Sequence, residues 1–96
     1  MYYGDYTQKI ATYLKNTGVK VNSFSKSDEV VDGEISLGVP DRQVHIQICP
    51  YHTEQGLLVN EVLGTGKNLR IKTLRTFKLS QNGLATMMAF IKELQN

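Results

Sequence analysis

Ninety-six residues carrying a net charge of +2, with 41% apolar and 21% charged side chains, have the composition of one soluble globular domain, residues 1–96, whose core is small because a chain this short buries only ~60–65% of its extended surface. No apolar run approaches the ~20 residues of a membrane-spanning helix, which sets aside an integral membrane protein. The start MYYGDYTQKI has neither a basic n-region nor an apolar h-region, and the single cysteine, Cys49, cannot form an internal disulfide, so a reducing cytoplasm is the expected setting.

Asp5 and Gln8 have the spacing of a capping box, Tyr6, Ile10, Tyr13 and Leu14 recur at helical intervals, and Gly18 follows. This predicts a helix over residues 5–17. VKVNSF predicts a short strand over 19–24, and SKSD a turn. From Glu29 to Val39 the alternation is clear, with Val31, Ile35, Leu37 and Val39 on one face and Asp32, Glu34 and Ser36 on the other. VPDRQ reads as a turn, since Pro40 fixes φ and Asp41 can bond local backbone. Val44, Ile46 and Ile48 then form the buried face of a strand that ends at Pro50, and CPYHTEQG follows as a loop.

LLVNEVL resumes as a strand with apolar residues on both faces, a pattern that hints at an interface. After GTGKN, the run from Leu69 to Leu79 alternates again. Leu69, Ile71, Phe77 and Leu79 face one way and Arg70, Lys72 and Lys78 the other, while Arg75 breaks the parity and predicts a bulge. Ser80 or Asn82 can cap a last helix, about 81–95, whose Leu84, Met87, Met88, Ile91 and Leu94 form an apolar stripe suited to core packing. Five strands in succession with short connections favour an antiparallel meander that must curl or close to protect its edges.

Charge is unevenly spread along this order. Asp28, Glu29, Asp32 and Glu34 form an acidic run, and Lys67, Arg70, Lys72, Arg75 and Lys78 a basic run without an acid. Such a dipole marks a nucleic-acid surface, or two oppositely charged edges that meet between strands or subunits, or simply two solvated faces.

Chemistry is sparse. His45, Cys49 and His52 lie close in sequence, but four residues of strand span ~13 Å, so His45 and Cys49 cannot place their donors on one ion. Cys49 and His52 alone make neither a structural zinc site nor a nucleophile with an orienting acid. LGTGKN lacks the spacing of a phosphate-binding GxxxxGK[ST] loop and precedes a strand, so it reads as a turn. No cofactor, no metal and no catalysis are expected.

DRQVHIQI places an acid at a turn, then an apolar, a polar and an apolar residue in strand alternation: Asp41, Val44, His45, Ile46 and Ile48. It resembles the first motif of the Sm and Sm-like (Lsm) family, D-x-x-[MLV]-N-[LVI]-x-[LVI], with His45 in the place of the asparagine. TGKNL resembles the second, R-G-[DN]-N-[IV], at Gly66, Asn68 and Leu69, with Thr65 and Lys67 departing from it. The resemblance covers roughly residues 5–75. It implies a mainly β fold, in which an N-terminal helix precedes a small, strongly bent five-stranded antiparallel barrel (core about 5–79), with the last helix beyond the family core.

The resemblance further implies a homo-oligomeric ring, built by pairing of the fourth and fifth strands between subunits, that binds RNA or single-stranded nucleic acid without catalysis. By position its site is Asp41, Gln43, His45, Thr65, Gly66 and Lys67. Gln43 stands at the stacking position without an aromatic face and Thr65 replaces an arginine, so Arg42, Lys67 and Arg70 would hold the backbone by charge. The alternative is a protein-interaction module, an inhibitor or adaptor, that uses the acidic run, the tyrosine-rich start or the last helix as its contact surface.

Overall fold

The computed structural model describes residues 5–26, 31–52 and 54–96, without the side chain of Asp5; the acidic residues Asp28 and Glu29, the Asp5 cap and the tyrosines at 2 and 3 lie outside what is described. The elements run α1 (Asp5–Asn16), β1 (Val21–Lys26), β2 (Gly33–Leu37), β3 (Gln43–Ile48), β4 (Leu57–Leu63), a single 3-10 turn (Gly66–Asn68), β5 (Arg70–Phe77) and α2 (Gln81–Gln95). The strands form one antiparallel sheet in the order β1-β2-β3-β4-β5, so each strand pairs with its sequence neighbour. β1 and β5 are the two edges, and the sheet is not closed.

Alternation decides which face is dry. Ile35 and Leu37 from β2, Val44, Ile46 and Ile48 from β3, and Leu57 and Val59 from β4 are all buried, and they share one core with Ile10, Ala11 and Leu14 of α1 and Met87 and Ile91 of α2. Both helices therefore lie on the same face, and their ends are tied together. Lys20 donates its N–H to the Gln95 side chain (3.2 Å), whose amide donates back to the Lys20 carbonyl (2.9 Å).

Helix α1 ends as its sequence suggests. Gly18 takes φ 91°, Val19 N–H bonds the Leu14 carbonyl (3.0 Å), and Gly18 N–H bonds that of Lys15 (3.2 Å). This is a Schellman cap, whose left-handed position suits glycine. The buried stripe is Thr7, Ile10, Ala11 and Leu14, one position round from the predicted one, leaving Tyr6 exposed.

The displacement has a polar cause. Asp32, 2% exposed, accepts hydrogen bonds from the N–H (2.8 Å) and hydroxyl (2.7 Å) of Thr7, itself fully buried. A carboxylate from the residue just before β2 thus satisfies one of the N–H groups that a helix start leaves unpaired, at the positive end of the helix dipole. Asp32 is no member of a solvated acidic face. Gly33 is also required here, because a β-carbon would meet the Ser25 carbonyl and the Thr7 hydroxyl.

At the other end of the chain Ser80 caps α2, its hydroxyl accepting from Gly83 N–H at 3.0 Å. Arg75 lies 5.5 and 5.6 Å from the rings of Phe77 and Phe90, so one cation of the basic run is engaged in packing α2 onto β5.

Candidate interaction surface

The predicted bulge is present in β5. Phe77, Thr76 and Arg75 pair with Leu57, Leu58 and Val59, after which the register shifts and Thr73 pairs with Asn60, leaving Leu74 as the extra residue. Its consequence is a change of face. Phe77 points into the core, but Thr73 donates its hydroxyl to Asn60 (2.8 Å), and Asn60 donates its amide to Gln47 (3.2 Å), a residue flanked by the buried Ile46 and Ile48. These three lie on the face away from the helices, and strand alternation puts Ile71 and Leu69 there with them. Ile71 is 68% exposed and Leu69 56%. The expectation that both share a face with Phe77 is corrected by the bulge, which inverts the phase of everything N-terminal to it.

Ile71 pairs with Val62, which in turn pairs with Gln43. The two-sided apolar pattern of LLVNEVL now has a use, since Leu58 and Val62 sit half-buried on this outer face. Leu69, Ile71 and Val62 are a small apolar patch at one corner of the sheet. On the helix side of the same stretch of β5, alternation places Arg70 and Lys72, both exposed.

The turns at 38–42 and 64–69 belong to this same end. Val39 to Arg42 is closed by an Arg42 N–H bond to the Val39 carbonyl (3.4 Å), with Pro40 second and Asp41 third at φ 60°, the arrangement of a type II turn that an aspartate tolerates. An open depression is lined by Asp41, Arg42, Gln43, Glu61 and Gly64, and a second one by Gly64, Lys67, Asn68 and Arg70. Of the residues expected to hold nucleic acid, Asp41, Arg42, Gln43, Lys67 and Arg70 thus gather around Gly64, and Thr65 and Gly66 lie in the exposed turn beside them. His45 does not join them. It faces a separate hollow with Ser23, Ser25, Glu34 and Ser36, the last of which is its ladder partner.

Arg42 is not a free cation. Its guanidinium grips Glu61 through Nε (2.8 Å) and Nη2 (3.0 Å), a two-pronged pair that sequence reasoning missed because the partners are far apart in the chain. By hydrogen bonding first and charge second, with Lys72 adding its own charge, Arg42 holds the Glu61 carboxyl below the usual carboxylate range, and Arg42 is raised in turn.

No family model, curated protein or solved structure matches the chain.

The depressed Glu61 sets a pH test. Its folded pKa lies below the unfolded value, so the pair's stabilisation is complete above the ordinary glutamate pKa of ~4.3 and is lost as pH falls through the folded value. Urea midpoints of the parent and of Arg42→Ala should differ near pH ~7 and converge as the pH falls through that folded value. A difference that survives acidification would remove the ion pair as its cause.

His52 Nδ1 accepts from Gln55 N–H at 3.2 Å. Burial pushes the Cys49 thiol up, which favours the unreactive protonated form. Among the described residues no group of three His, Cys, Asp or Glu side chains is placed to hold a metal ion, and no helix is long and apolar enough to cross a membrane.

Proposed function

We propose that this chain is a non-catalytic protein-interaction module whose contact surface is the outer face and edge of the sheet at β4 and β5, rather than the acidic run, the tyrosine-rich start or the last helix. One observation carries the reading. A bulge places Leu69 and Ile71 outside the core, exposed and rimmed by Lys67 and Arg70. Isolated apolar side chains on a surface are ordinary, but a grouped patch with a polar rim is the composition of a contact site.

Photocross-linking tests it. A benzoylphenylalanine at position 71 should give a discrete, nuclease-resistant protein adduct in cells that express the chain, lost in Leu69→Ser, whereas the same probe at the exposed Thr86 of α2 should not. A nuclease-sensitive adduct, or equal adducts at both positions, would overturn the reading.

A second reading, the Sm-like ring that binds RNA or single-stranded nucleic acid, is favoured by the gathering of Asp41, Gln43, Lys67 and Arg70 at one end of the sheet. It asks the β1 and β5 edges to close into a barrel, and the pairing of Arg42 with Glu61 counts against it by neutralising one of its cations. A large discrete oligomer by light scattering, together with nucleic acid copurifying before any salt wash, would favour it over the first.

A further inference from the structure

Resting on the surface reading above, we propose that β5 accepts an extended acidic segment of another protein as a sixth strand, one whose residues alternate between apolar and acidic. Three observations on the same few residues point there. β5 is the last strand of the sheet, so one line of its backbone N–H and C=O groups has no neighbouring strand among the described residues. Main-chain pairing along such an edge supplies affinity, and the alternate side chains supply specificity.

The second observation is the two-sidedness of β5 before its bulge. Leu69 and Ile71 stand on the outer face, and Arg70 and Lys72 on the helix side. An incoming strand has the same period of two, so one set of its side chains lies beside the aliphatic pair and the other beside the cations. Apolar-acidic alternation matches both rows.

The third is charge. Between Lys67 and Lys78 the chain has five cations and no acid. Arg75 lies against Phe77 and Phe90 and Lys78 lies beyond the end of the strand, so the exposed cations beside the patch are Lys67, Arg70 and Lys72. Lysines and bulges on an edge strand also guard against pairing between copies. Here the two roles agree, since an antiparallel pairing of β5 with its own copy would set cation against cation, a destabilising arrangement that an acidic strand reverses.

A polyanion of the other kind fits less well. Nucleic-acid strands are held by aromatic stacking as well as charge, yet the exposed large residues here are aliphatic, while Tyr6, Phe24 and Tyr51 lie on other elements. A sugar-phosphate backbone also cannot form the paired N–H and C=O ladder that an edge strand offers.

Fluorescence polarisation with synthetic heptapeptides decides the matter. A labelled alternating Val-Glu peptide should bind, the Val-Lys counterpart should not, and a uridine dodecamer should bind at least tenfold more weakly than the Val-Glu peptide. Arg70→Glu/Lys72→Glu, checked for an unchanged circular dichroism spectrum, should weaken the Val-Glu peptide at least tenfold and admit the Val-Lys one.

Two further Val-Glu probes, N-methylated on the odd or on the even residues, isolate the ladder, because only one edge of the added strand faces β5. One isomer should lose binding and the other keep it. Equal binding of both would overturn strand addition, as would a failure of the Val-Glu peptide at millimolar concentration or tighter binding of the uridine dodecamer. The surface reading is judged separately: sensitivity to Ile71→Ser, or the adduct at position 71, would uphold it even where strand addition fails.

Discussion

Ile46→Ala is expected to destabilise the fold by about 2–5 kcal/mol, and Ile71→Ala by about 0.5 kcal/mol or less, although the two isoleucines sit in the same sheet. Ile46 is fully buried in β3 between the sheet and the helices, and truncating it removes transfer free energy and leaves a cavity. A domain of this size has only about 5–10 kcal/mol in hand, so the first variant approaches the limit of folding. Ile71 is 68% exposed and has little to lose. Urea denaturation of both variants tests the phase inversion in β5, because a strand without its bulge would turn Ile71 into the core. Comparable losses from the two substitutions would refute the assigned face.

Asp32→Ala should cost about 2–4 kcal/mol, as both buried donors of Thr7 lose their acceptor at once. The backbone N–H is the heavier loss, since it belongs to a helix start and Thr7 is fully buried. Thr7→Val separates the contributions. It removes the hydroxyl donor while the carboxylate still receives the N–H, so it should cost at least about 1 kcal/mol less than Asp32→Ala. Hydrogen exchange offers a second readout, with protection of the first turns of α1 falling sharply in Asp32→Ala and modestly in Thr7→Val. Equal effects would mean that the N–H bond contributes nothing.

How much of this is written legibly in the residues depends on distance along the chain. The first helix, expected over 5–17 and found over 5–16, and the strand 57–63 follow from local spacing, whereas that spacing allowed either Ser80 or Asn82 as the cap of the last helix and the fold takes Ser80. The bulge is also local, since Arg75 breaks the parity, but its effect is not. Which of two possible phases belongs to the core is decided by the partner strand, where Val59 takes Arg75 and Asn60 takes Thr73. The pairing of Arg42 with Glu61 and the burial of Asp32 against Thr7 join residues on different elements, and no periodicity within one element reports them. In the same way, alternation describes what each strand buries without saying whether the first and last strands meet. The candidate site was legible as a list of residues around Asp41 and Lys67, whereas the separation of His45 and the outward turn of Leu69 and Ile71 needed the assembled sheet.

The relay from Thr73 through Asn60 to Gln47 spans three strands and leaves Asn60 only 8% exposed with both ends of its amide engaged. Of the residues in this edge ribbon only Phe77 is buried, so core packing alone holds it weakly in place along β4. Sliding β5 by a single position would carry the threonine to the opposite side and strand a nearly dry carboxamide oxygen, a penalty comparable to losing a hydrogen bond. The relay thus works as an alignment pin: it fixes where the outermost ribbon comes to rest, and with it which side chains the molecule shows to its surroundings.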